Sequence, residues 1–254
     1  MFSLAGKKAL VVGIANGDSI AFGCAKALRA QGAELAITFQ SEKAEPFVRP
    51  LADGLEADIV MALDARDDAQ FAELFNAIQR RWNKLDICLH SIAFCPKEDL
   101  HARVVDCSRQ GFSVAMDISV HSFIRMVRAA EPLMSAGGVC MTVSYLGAEK
   151  VIEHYNIMGP VKAALEAATR YMAAELGPKG IRVHALSPGP LRTRAASGIG
   201  HFDELLDAAA ARAPTHQLAS IEDVGAYAAF LASAEAANVT GGVHYIDGGY
   251  HIVG

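Results

Sequence analysis

Short runs of apolar residues alternate with segments of helical periodicity along the whole 254-residue chain. Seven of the apolar runs are continuous rather than interrupted by polar residues, which is typical of strands buried on both faces of a parallel sheet. These runs span residues 9–13, 33–39, 59–63, 85–92, 139–144, 181–187 and 243–247. Their alternation with helices predicts a Rossmann-type α/β fold, in which helices flank a doubly wound, seven-stranded parallel sheet.

Capping signals mark several predicted helix boundaries. Residues 67–82 place their apolar side chains on one face, which predicts a helix there. Ser220 and Asp223 form a predicted capping box at the start of another helix, which runs through Leu231. Gly32 and Gly177 stand where helices are expected to end.

The chain contains no linker-like or repetitive segment, so we expect one dinucleotide-binding and catalytic domain over residues 1–254. The connection at about 191–213 is longer than the usual loop between a strand and a helix. Long connections at this position often cover a ligand, so we expect this stretch to form a substrate lid.

The composition is that of an ordinary globular enzyme, with 52% hydrophobic and 20% charged residues. A net charge of −5 and a pI near 6.0 argue against nucleic-acid binding, which usually needs a basic surface. No apolar stretch is long enough for a transmembrane helix, and the N-terminus lacks the layout of a signal peptide, so we expect a cytoplasmic protein. The five cysteines form no C-x-x-C pair and the nine histidines no H-E-x-x-H motif, so no metal site is expected.

In a doubly wound fold, ligands bind beyond the carboxyl ends of the strands. The first strand runs into a turn that contains two glycines and leads into a helix, Gly13-Ile-Ala-Asn-Gly-Asp-Ser19-Ile-Ala-Phe-Gly23. Such a turn lets backbone N–H groups approach a pyrophosphate, and the hydroxyl of Ser19 could donate to the same group. The strict G-x-G-x-x-G spacing is absent, so a purely structural strand–helix turn is the alternative.

Residues after the second and third strands favour NADH over NADPH. Gln40 follows strand two, where the adenosine ribose is read; it is neutral, and Glu42 would repel a 2′-phosphate. The nearby Lys43 carries a positive charge that would favour the 2′-phosphate of NADPH. Asp64, at the end of strand three, could accept a hydrogen bond from the adenine amino group or could be a plain turn residue.

The ends of strands four and six add weaker signals. Strand four ends in His90-Ser91-Ile92-Ala93, and small residues there would let a cofactor lie across the sheet edge. Strand six is followed by Pro-Gly-Pro, a rigid bend that leaves Thr193 free to meet the nicotinamide amide or the pyrophosphate. Ordinary packing and a plain loop explain these two segments equally well.

The strongest chemical signal lies between strand five and the next helix, which carry Tyr145, Tyr155 and Lys162. Tyr155 and Lys162 are seven residues apart, about 700° of helical rotation, so on one helix they would share a face. Beside a nicotinamide, the lysine could hold the ribose hydroxyls while a tyrosine donates to a developing oxyanion. An amphipathic helix with an incidental tyrosine and lysine is the alternative. None of the six tyrosines has a lysine four residues later, the usual spacing in carbonyl-reducing short-chain dehydrogenases.

Together these residues resemble those of the bacterial enoyl-[acyl-carrier-protein] reductases, a divergent branch of the short-chain dehydrogenases. The resemblance covers essentially the whole chain. Its most specific parts are G-x5-S-I-A-x-G from Gly13, the Tyr145/Tyr155/Lys162 spacing, and G-P-L-R-T-x-A-A-S-G around Thr193. It implies NADH-dependent reduction of the C2=C3 double bond of a trans-2-enoyl thioester, on acyl-carrier protein or CoA, in fatty-acid synthesis. It also implies a homotetramer.

The resemblance further implies a residue set for each part of the site. In the catalytic set, Tyr155 would bond the thioester oxygen, Lys162 would anchor the ribose, and Tyr145 would line the pocket. The cofactor-binding residues would be Gly13, Ser19, Ile20, Gln40, Asp64, Ala65, Ser91, Ile92, Lys162, Leu191, Thr193 and Ala195. The substrate-binding residues would be Cys95, Tyr145, Tyr155, Met158 and Phe202.

Three positions depart from the family's pattern. Asp203 stands in a neutral-to-acidic stretch of the lid, where the family usually carries basic residues that face an acidic carrier protein. Pro160 lies between Tyr155 and Lys162, so the helix must begin near Tyr155 or later, or kink. Ala93 replaces a glycine that is common in the family and narrows the space beside the nicotinamide by one methyl group.

Two other functions stay open from the residues alone. A carbonyl reductase of the same fold is disfavoured by the missing Tyr-x3-Lys pair. A catalytically silent NAD-binding regulator would keep the Gly13 turn but could lose Tyr155 or Lys162, and both are present.

Overall fold

A computed structural model describes residues 2–193 and 202–253 of the chain. Seven strands form one parallel sheet in the order β3-β2-β1-β4-β5-β6-β7. The strands are β1 (Lys8–Val12), β2 (Glu34–Phe39), β3 (Ile59–Ala62), β4 (Ile87–His90), β5 (Gly138–Val143), β6 (Ile181–Pro188) and β7 (Val243–Ile246). Every predicted strand is present, and the Rossmann-type α/β sheet is confirmed.

Helices connect the strands and cover both faces of the sheet. They are α1 (Ile20–Ala30), α2 (Glu45–Gly54), α3 (Asp68–Trp82), α4 (Lys97–His101), α5 (Arg109–Met116), α6 (Ser122–Ala130), α7 (Met158–Leu176), α8 (Phe202–Arg212) and α9 (Ile221–Ala232). A π-helical turn over Asp117–His121 joins α5 to α6.

Each face of the sheet has its own apolar core. On one face, α1, α2 and α9 bury side chains such as Leu28 and Val224. On the other face, α3, α6 and α7 bury side chains such as Leu74 and Phe123. The strands supply buried residues to both cores, which explains why their apolar runs do not alternate with polar residues.

Two glycines let α1 and α9 pack backbone against backbone. A Cβ on Gly23 would lie 2.3 Å from the carbonyl oxygen of Ile221, and one on Gly225 would lie 2.4 Å from the carbonyl oxygen of Gly23. No side chain fits at such distances. The close contact fixes α1, and with it the turn that leads from β1, against a second helix.

The predicted helix over residues 67–82 and the predicted capping box of α9 are confirmed, and the cap of α3 at Asp67 was not predicted. The side chain of Asp67 accepts from the backbone N–H groups of Ala69 and Gln70, so α3 begins where the periodicity placed it. Ser220 and Asp223 form a capping box in which each side chain bonds the other residue's backbone N–H. Both caps satisfy amides that the helix itself cannot pair.

The two predicted helix-ending glycines differ in conformation. Gly32 follows α1 with a φ of 96°, in the left-handed region that favours glycine. α7 does end before Gly177, but the φ of that residue is −52°, and a short 3₁₀ turn follows. The left-handed glycine at this helix end is Gly180, with a φ of 73°.

Helix α8 occupies part of the stretch predicted to form a lid, and residues 194–201 of that stretch lie outside the described ranges. Across residues 2–193 and 202–253, no helix is both long enough and apolar enough to span a membrane.

Candidate functional site

The end of β5 and the start of α7 bring the two predicted tyrosines together. Tyr145 follows β5 in an extended conformation, and its ring meets that of Tyr155 edge to face, with ring centroids 4.9 Å apart. Gly147 makes this contact possible, because a Cβ at that position would lie 2.4 Å from the Tyr155 ring. Sequence reasoning missed this glycine, although it stands two residues after Tyr145 in the segment that carries the chemistry.

Tyr155 does not lie on α7, so the argument that Tyr155 and Lys162 share a helical face is wrong. The helix begins at Met158, and Tyr155 sits in the preceding turn. His154 and Asn156, on either side of it, have left-handed φ values of 62° and 44°. A tight, strained turn therefore aims the Tyr155 ring, and an α-helix does not.

Pro160 explains where the helix starts. It lies in the first turn of α7, where a missing N–H costs nothing because the first amides of a helix have no internal partner. The expectation that the helix begins near Tyr155 or later is confirmed. Lys162 then falls in the second turn of α7, with its side chain directed to the end of β5.

Lys162 is a buried cation held by a backbone carbonyl. Its side chain is 5% exposed, and its Nζ donates to the carbonyl oxygen of Val143 over 2.6 Å. Burial lowers the pKa of Lys162 to about 8, and the nearby carboxylate of Glu166 opposes that shift. An ammonium in this position is close to neutralisation at physiological pH, so its surroundings decide its charge.

Both tyrosines are neutral donors. Burial raises the pKa of Tyr155 and of Tyr145 well above the ordinary value for a phenol. The Tyr145 hydroxyl is buried and has no hydrogen-bond partner among the described residues. The same holds for the hydroxyl of Ser187, at the end of the neighbouring strand β6. Unpaired buried polar atoms at two adjacent strand ends fit a polar ligand that lies across the sheet edge.

Gly13 lets β1 and β4 approach each other at their carboxyl ends. Its φ is 111°, and a Cβ there would lie 2.1 Å from the carbonyl oxygen of Ser91. Gly17, four residues later, has open space where a Cβ would stand. Gly13 is therefore required by the close packing of β1 against β4. Gly17 is not required by packing and leaves open space near the start of α1.

The start of α1 is suited to bind an anion. Its first turn carries no acidic residue, and Ser19, the residue before Ile20, makes no side-chain bond to the helix. Free amides and the helix dipole at such an end favour a phosphate. This part of the structure fits the pyrophosphate of a dinucleotide.

Ser19 has a second use that sequence reasoning did not foresee. Its hydroxyl accepts from the amides of Ala15 and Asn16, over 3.0 and 3.1 Å, and donates to the Asn16 side chain over 3.1 Å. The hydroxyl thus holds the turn in shape. Its predicted donation to a phosphate stays a prediction and would require the Asn16 bond to be exchanged.

The residues predicted to hold adenosine lie at the ends of β2 and β3. Gln40 is exposed directly after β2, and Asp64 follows β3. Arg66, which sequence reasoning missed, donates to both oxygens of Asp64, over 3.1 Å from Nε and 2.7 Å from Nη2. These bonds lower the pKa of Asp64 and favour its ionised form, whose two oxygens both act as acceptors. The adjacent Ala65 is buried, and its carbonyl accepts from Arg125.

The end of β4 is anchored by a buried histidine. His90 contacts the hydroxyls of Thr142 and Ser122, at 3.1 and 2.7 Å. Ser91 and Ile92, which follow it, are half-buried at the sheet edge, as expected for residues beside a cofactor. The sequence does not predict this role for His90, because the hydrogen-bond partners of its ring come from distant parts of the chain.

Most of the predicted substrate residues share one apolar cluster. Cys95, Tyr155 and Met158 are buried in it, and Tyr145 packs against it. Burial and the carboxylate of Asp99 raise the pKa of Cys95 to about 11, so its thiol stays protonated and acts as a small apolar group. The side chain of Phe202 lies outside the described part of the structure, although this residue begins α8.

The predicted residues after β6 are placed only in part. Leu191 is buried in the core of the opposite face, and its carbonyl accepts from the Thr193 amide over 2.8 Å. Ala195 lies outside the described residues.

Comparison with known proteins agrees with this geometry. A profile of the family described as "Enoyl-(Acyl carrier protein) reductase" matches residues 13–251. The chain belongs to this family. It is 47% identical over 249 residues to the Rhizobium meliloti protein named "Enoyl-[acyl-carrier-protein] reductase [NADH] 1", covering 98% of this chain and 92% of that protein.

Solved structures of enoyl-(acyl carrier protein) reductases superpose closely on this chain. The Aquifex aeolicus enzyme has a TM-score of 0.96 at 45% identity, over 99% of this chain and 98% of its own. The Anaplasma phagocytophilum enzyme, solved in complex with NAD, has a TM-score of 0.96 at 42% identity, over 100% and 97%. Near-complete coverage in both directions means that the family's fold is present from end to end.

The two glycines of the first turn give a matched test of this geometry. We expect Gly13→Ala to lower the free energy of unfolding by about 3 kcal/mol or more, because its Cβ meets a backbone carbonyl and its φ is strained. Gly17→Ala, whose Cβ meets nothing within 4 Å, should stay within about 0.5 kcal/mol of the unsubstituted protein. Chemical denaturation measures both, and a Gly13→Ala midpoint equal to that of Gly17→Ala would contradict the close approach.

Proposed function

We propose that this chain uses NADH to reduce the C2=C3 double bond of a trans-2-enoyl thioester in fatty-acid synthesis. The observation that carries the proposal is the edge-to-face pair of Tyr145 and Tyr155 beside the buried cation Lys162. Membership of the enoyl-(acyl carrier protein) reductase family supports the same activity, and the relatives named above include NADH in their names.

Each residue of this group has a definite task in such a reduction. When bound, NADH supplies the hydride that adds to the β-carbon of the thioester. Tyr155, which burial keeps protonated, donates to the thioester oxygen as negative charge develops there. Lys162 holds the ribose hydroxyls and stabilises that charge with its own. Tyr145 has a buried hydroxyl with no hydrogen-bond partner among the described residues and packs against the Tyr155 ring, so it would line the substrate side of the site.

The residues around the strand ends would hold the cofactor. The Gly13 turn and the start of α1 would receive the pyrophosphate, since the first turn of that helix carries no acidic residue. Gln40 and Asp64 would face the adenosine, and Ser91 and Thr193 the nicotinamide half. Burial of the reacting groups at the sheet edge excludes water from the oxyanion and strengthens the tyrosine's hydrogen bond.

A carbonyl reductase would need a lysine four residues after its tyrosine. The residue four after Tyr155 is Gly159, which packs against the carbonyl oxygen of Gly147 and has no side chain to offer. The seven-residue spacing, with the tyrosine in a turn and the lysine in the helix, sets the phenol farther from the ammonium along the chain.

The acyl group is carried by acyl-carrier protein or by CoA, and the lid surface argues for weak carrier docking. Arg192 pairs with Asp203 over 2.6 Å, and both side chains are exposed. Asp203 thereby offsets a positive charge that an acidic carrier would otherwise meet. Phe202 and Ala195 belong to the same proposed lid, at about 191–213. We propose that this lid is part of a single catalytic domain over residues 1–254.

We also propose that the enzyme works in the cytoplasm. Its five cysteines are free thiols, and a reducing compartment keeps them so. NADH, the proposed reductant, must reach the site by diffusion from the same compartment. Targeting of a fluorescent fusion in the source cell tests this point.

The substitution that tests the reaction is Tyr155→Phe, which removes one hydroxyl and keeps the ring. We expect enoyl reduction to fall by about 10²–10³, the usual effect of losing an oxyanion donor, while NADH binding is kept. Lys162→Ala should weaken NADH binding as well. The measurement is NADH oxidation with crotonyl-CoA, a crotonyl carrier protein and a simple ketone, side by side. Turnover of the ketone alone would refute the proposed function and favour a carbonyl reductase.

Cofactor preference follows from the residues after β2. Gln40, Glu42 and Lys43 are all exposed, and the first two offer no positive charge to a 2′-phosphate. We expect kcat/KM to be at least about tenfold higher with NADH than with NADPH, a difference of about 1.4 kcal/mol. Steady-state kinetics with both cofactors measures the ratio. Equal or reversed values would show that Lys43 or Arg66 supplies a phosphate contact.

We propose a homotetramer built on α5, α6 and α7. These helices expose large apolar side chains that the chain itself does not cover: Phe112 on α5 at 45%, Ile124 on α6 at 38% and Tyr171 on α7 at 73%. Such side chains on adjoining helices are typical of a subunit interface. Light scattering at micromolar concentration should return four times the chain mass, and Tyr171→Glu should shift it downward. A monomer in the unsubstituted protein would overturn the proposal.

A further inference from the structure

A second polar contact joins β5 to α7 beside the one made by Lys162. The hydroxyl of Ser144 donates to Oε1 of Glu166 over 2.5 Å, and each of these residues is 3% exposed. Ser144 directly follows Val143, the residue whose carbonyl holds Lys162, and directly precedes Tyr145. Glu166 lies one helical turn after Lys162 on α7. The strand end that carries the reacting groups is thus bonded twice to one face of one helix.

Glu166 is surrounded by the groups of the proposed reaction. The positive charges that face it are Lys162, one turn before it, and Arg170, one turn after it. The negative charge of Glu149 faces Glu166 from the loop after β5. The charge of Glu166 in turn contributes to the raised pKa values of the Tyr155 and Tyr245 phenols. Lys162 in turn faces Glu166 and the neutral ring of His90 on β4. Burial raises the pKa of Glu166 above the ordinary value for a carboxyl, and the hydrogen bond from Ser144 opposes that shift. In its ionised form, Glu166 acts on the buried ammonium of Lys162 through its charge.

A purely structural cross-link would explain the Ser144 bond alone. It would not explain why the acceptor is a carboxylate, because burying an ionised group costs far more than burying a neutral one of the same shape. An uncharged glutamine could accept the same hydrogen bond from Ser144. A carboxylate at this position has an added effect, since its negative charge favours the protonated form of a lysine that burial tends to neutralise.

We propose that Glu166 and Ser144 are positioning residues for Lys162. Ser144 fixes the end of β5, and so the Val143 carbonyl that receives the ammonium and the backbone from which Tyr145 projects. Glu166 holds Ser144 and supplies the negative charge that keeps Lys162 protonated. The inference rests on the proposed function, because it assigns the pair to the lysine that would bind the cofactor ribose.

The two residues have separable effects on the binding of NADH. Loss of the charge in Glu166→Gln should let Lys162 lose its proton at lower pH, so the alkaline decline in affinity should move down by about one pH unit. At pH 8 the Kd for NADH should then rise about five- to tenfold, and at pH 6 it should stay within about twofold. Ser144→Ala keeps the charge but frees the strand end, so it should weaken NADH binding by a similar factor at every pH.

The experiment is a fluorescence titration of each variant with NADH between pH 6 and 9, with melting temperatures measured alongside. Thr169→Val is the matched control, because Thr169 is a buried residue on the same helix whose hydroxyl donates to the carbonyl of Leu165. It should lower stability without moving the pH midpoint. A Glu166→Gln midpoint equal to that of the unsubstituted enzyme would overturn the proposal.

Two features keep the test decisive. If Glu166→Gln does not fold, Ser144→Ala still decides, since unchanged NADH affinity in that variant would show that the pair positions nothing. The readout is binding, so it does not depend on which substrate is reduced. Failure of the enoyl assay with a normal pH-dependent effect on NADH would overturn the proposed function and leave this inference standing.

Discussion

The site depends on one energetically costly feature, an ammonium ion buried at the end of a parallel strand. Removing a charge from water is expensive unless oxygen atoms replace the lost solvent. Lys162 has a backbone carbonyl within 2.6 Å and a carboxylate one turn along its helix, and both are fixed by the sheet and the helix behind them. Because these partners are held by the fold, the cation needs no rearrangement when charge develops on a substrate.

The common direction of the strands determines which groups lie together at the edge of the sheet. Carboxyl ends of β1, β4, β5 and β6 meet at one edge because every strand runs in the same direction. Gly13 lets the backbones of β1 and β4 come within contact there, and Gly147 lets the Tyr155 ring lie against the loop after β5. Two positions without a side chain thus set how closely β1 approaches β4 and how closely Tyr155 approaches the loop after β5.

Much of this could be predicted from the sequence, and the failures have physical reasons. Seven strands and the extent of α3 follow from periodicity. The cap of α9 and the late start of α7 follow from Ser220 and Pro160, which act on their near neighbours. The helical-face argument for Tyr155 failed because rotation arithmetic applies only inside a helix. Arg66 on Asp64 and Glu166 on Ser144 were missed because side-chain partners depend on rotamers and on packing between elements. For Glu166, the available signal was its spacing of four residues from Lys162, which places the two on one helical face.

The neighbouring histidine shows how the fold confines positive charge to one atom. Ser122 donates its hydroxyl proton to the carbonyl of Ile118, so it must accept from Nε2 of His90, whose Nδ1 is then left to accept from Thr142. Each ring nitrogen therefore has a partner in the neutral imidazole. Burial and the charge of Lys162 agree with this, since they lower the pKa of His90 to about 3. The end of β4 thus places an uncharged ring near the ammonium, and Lys162 carries the positive charge of the proposed site.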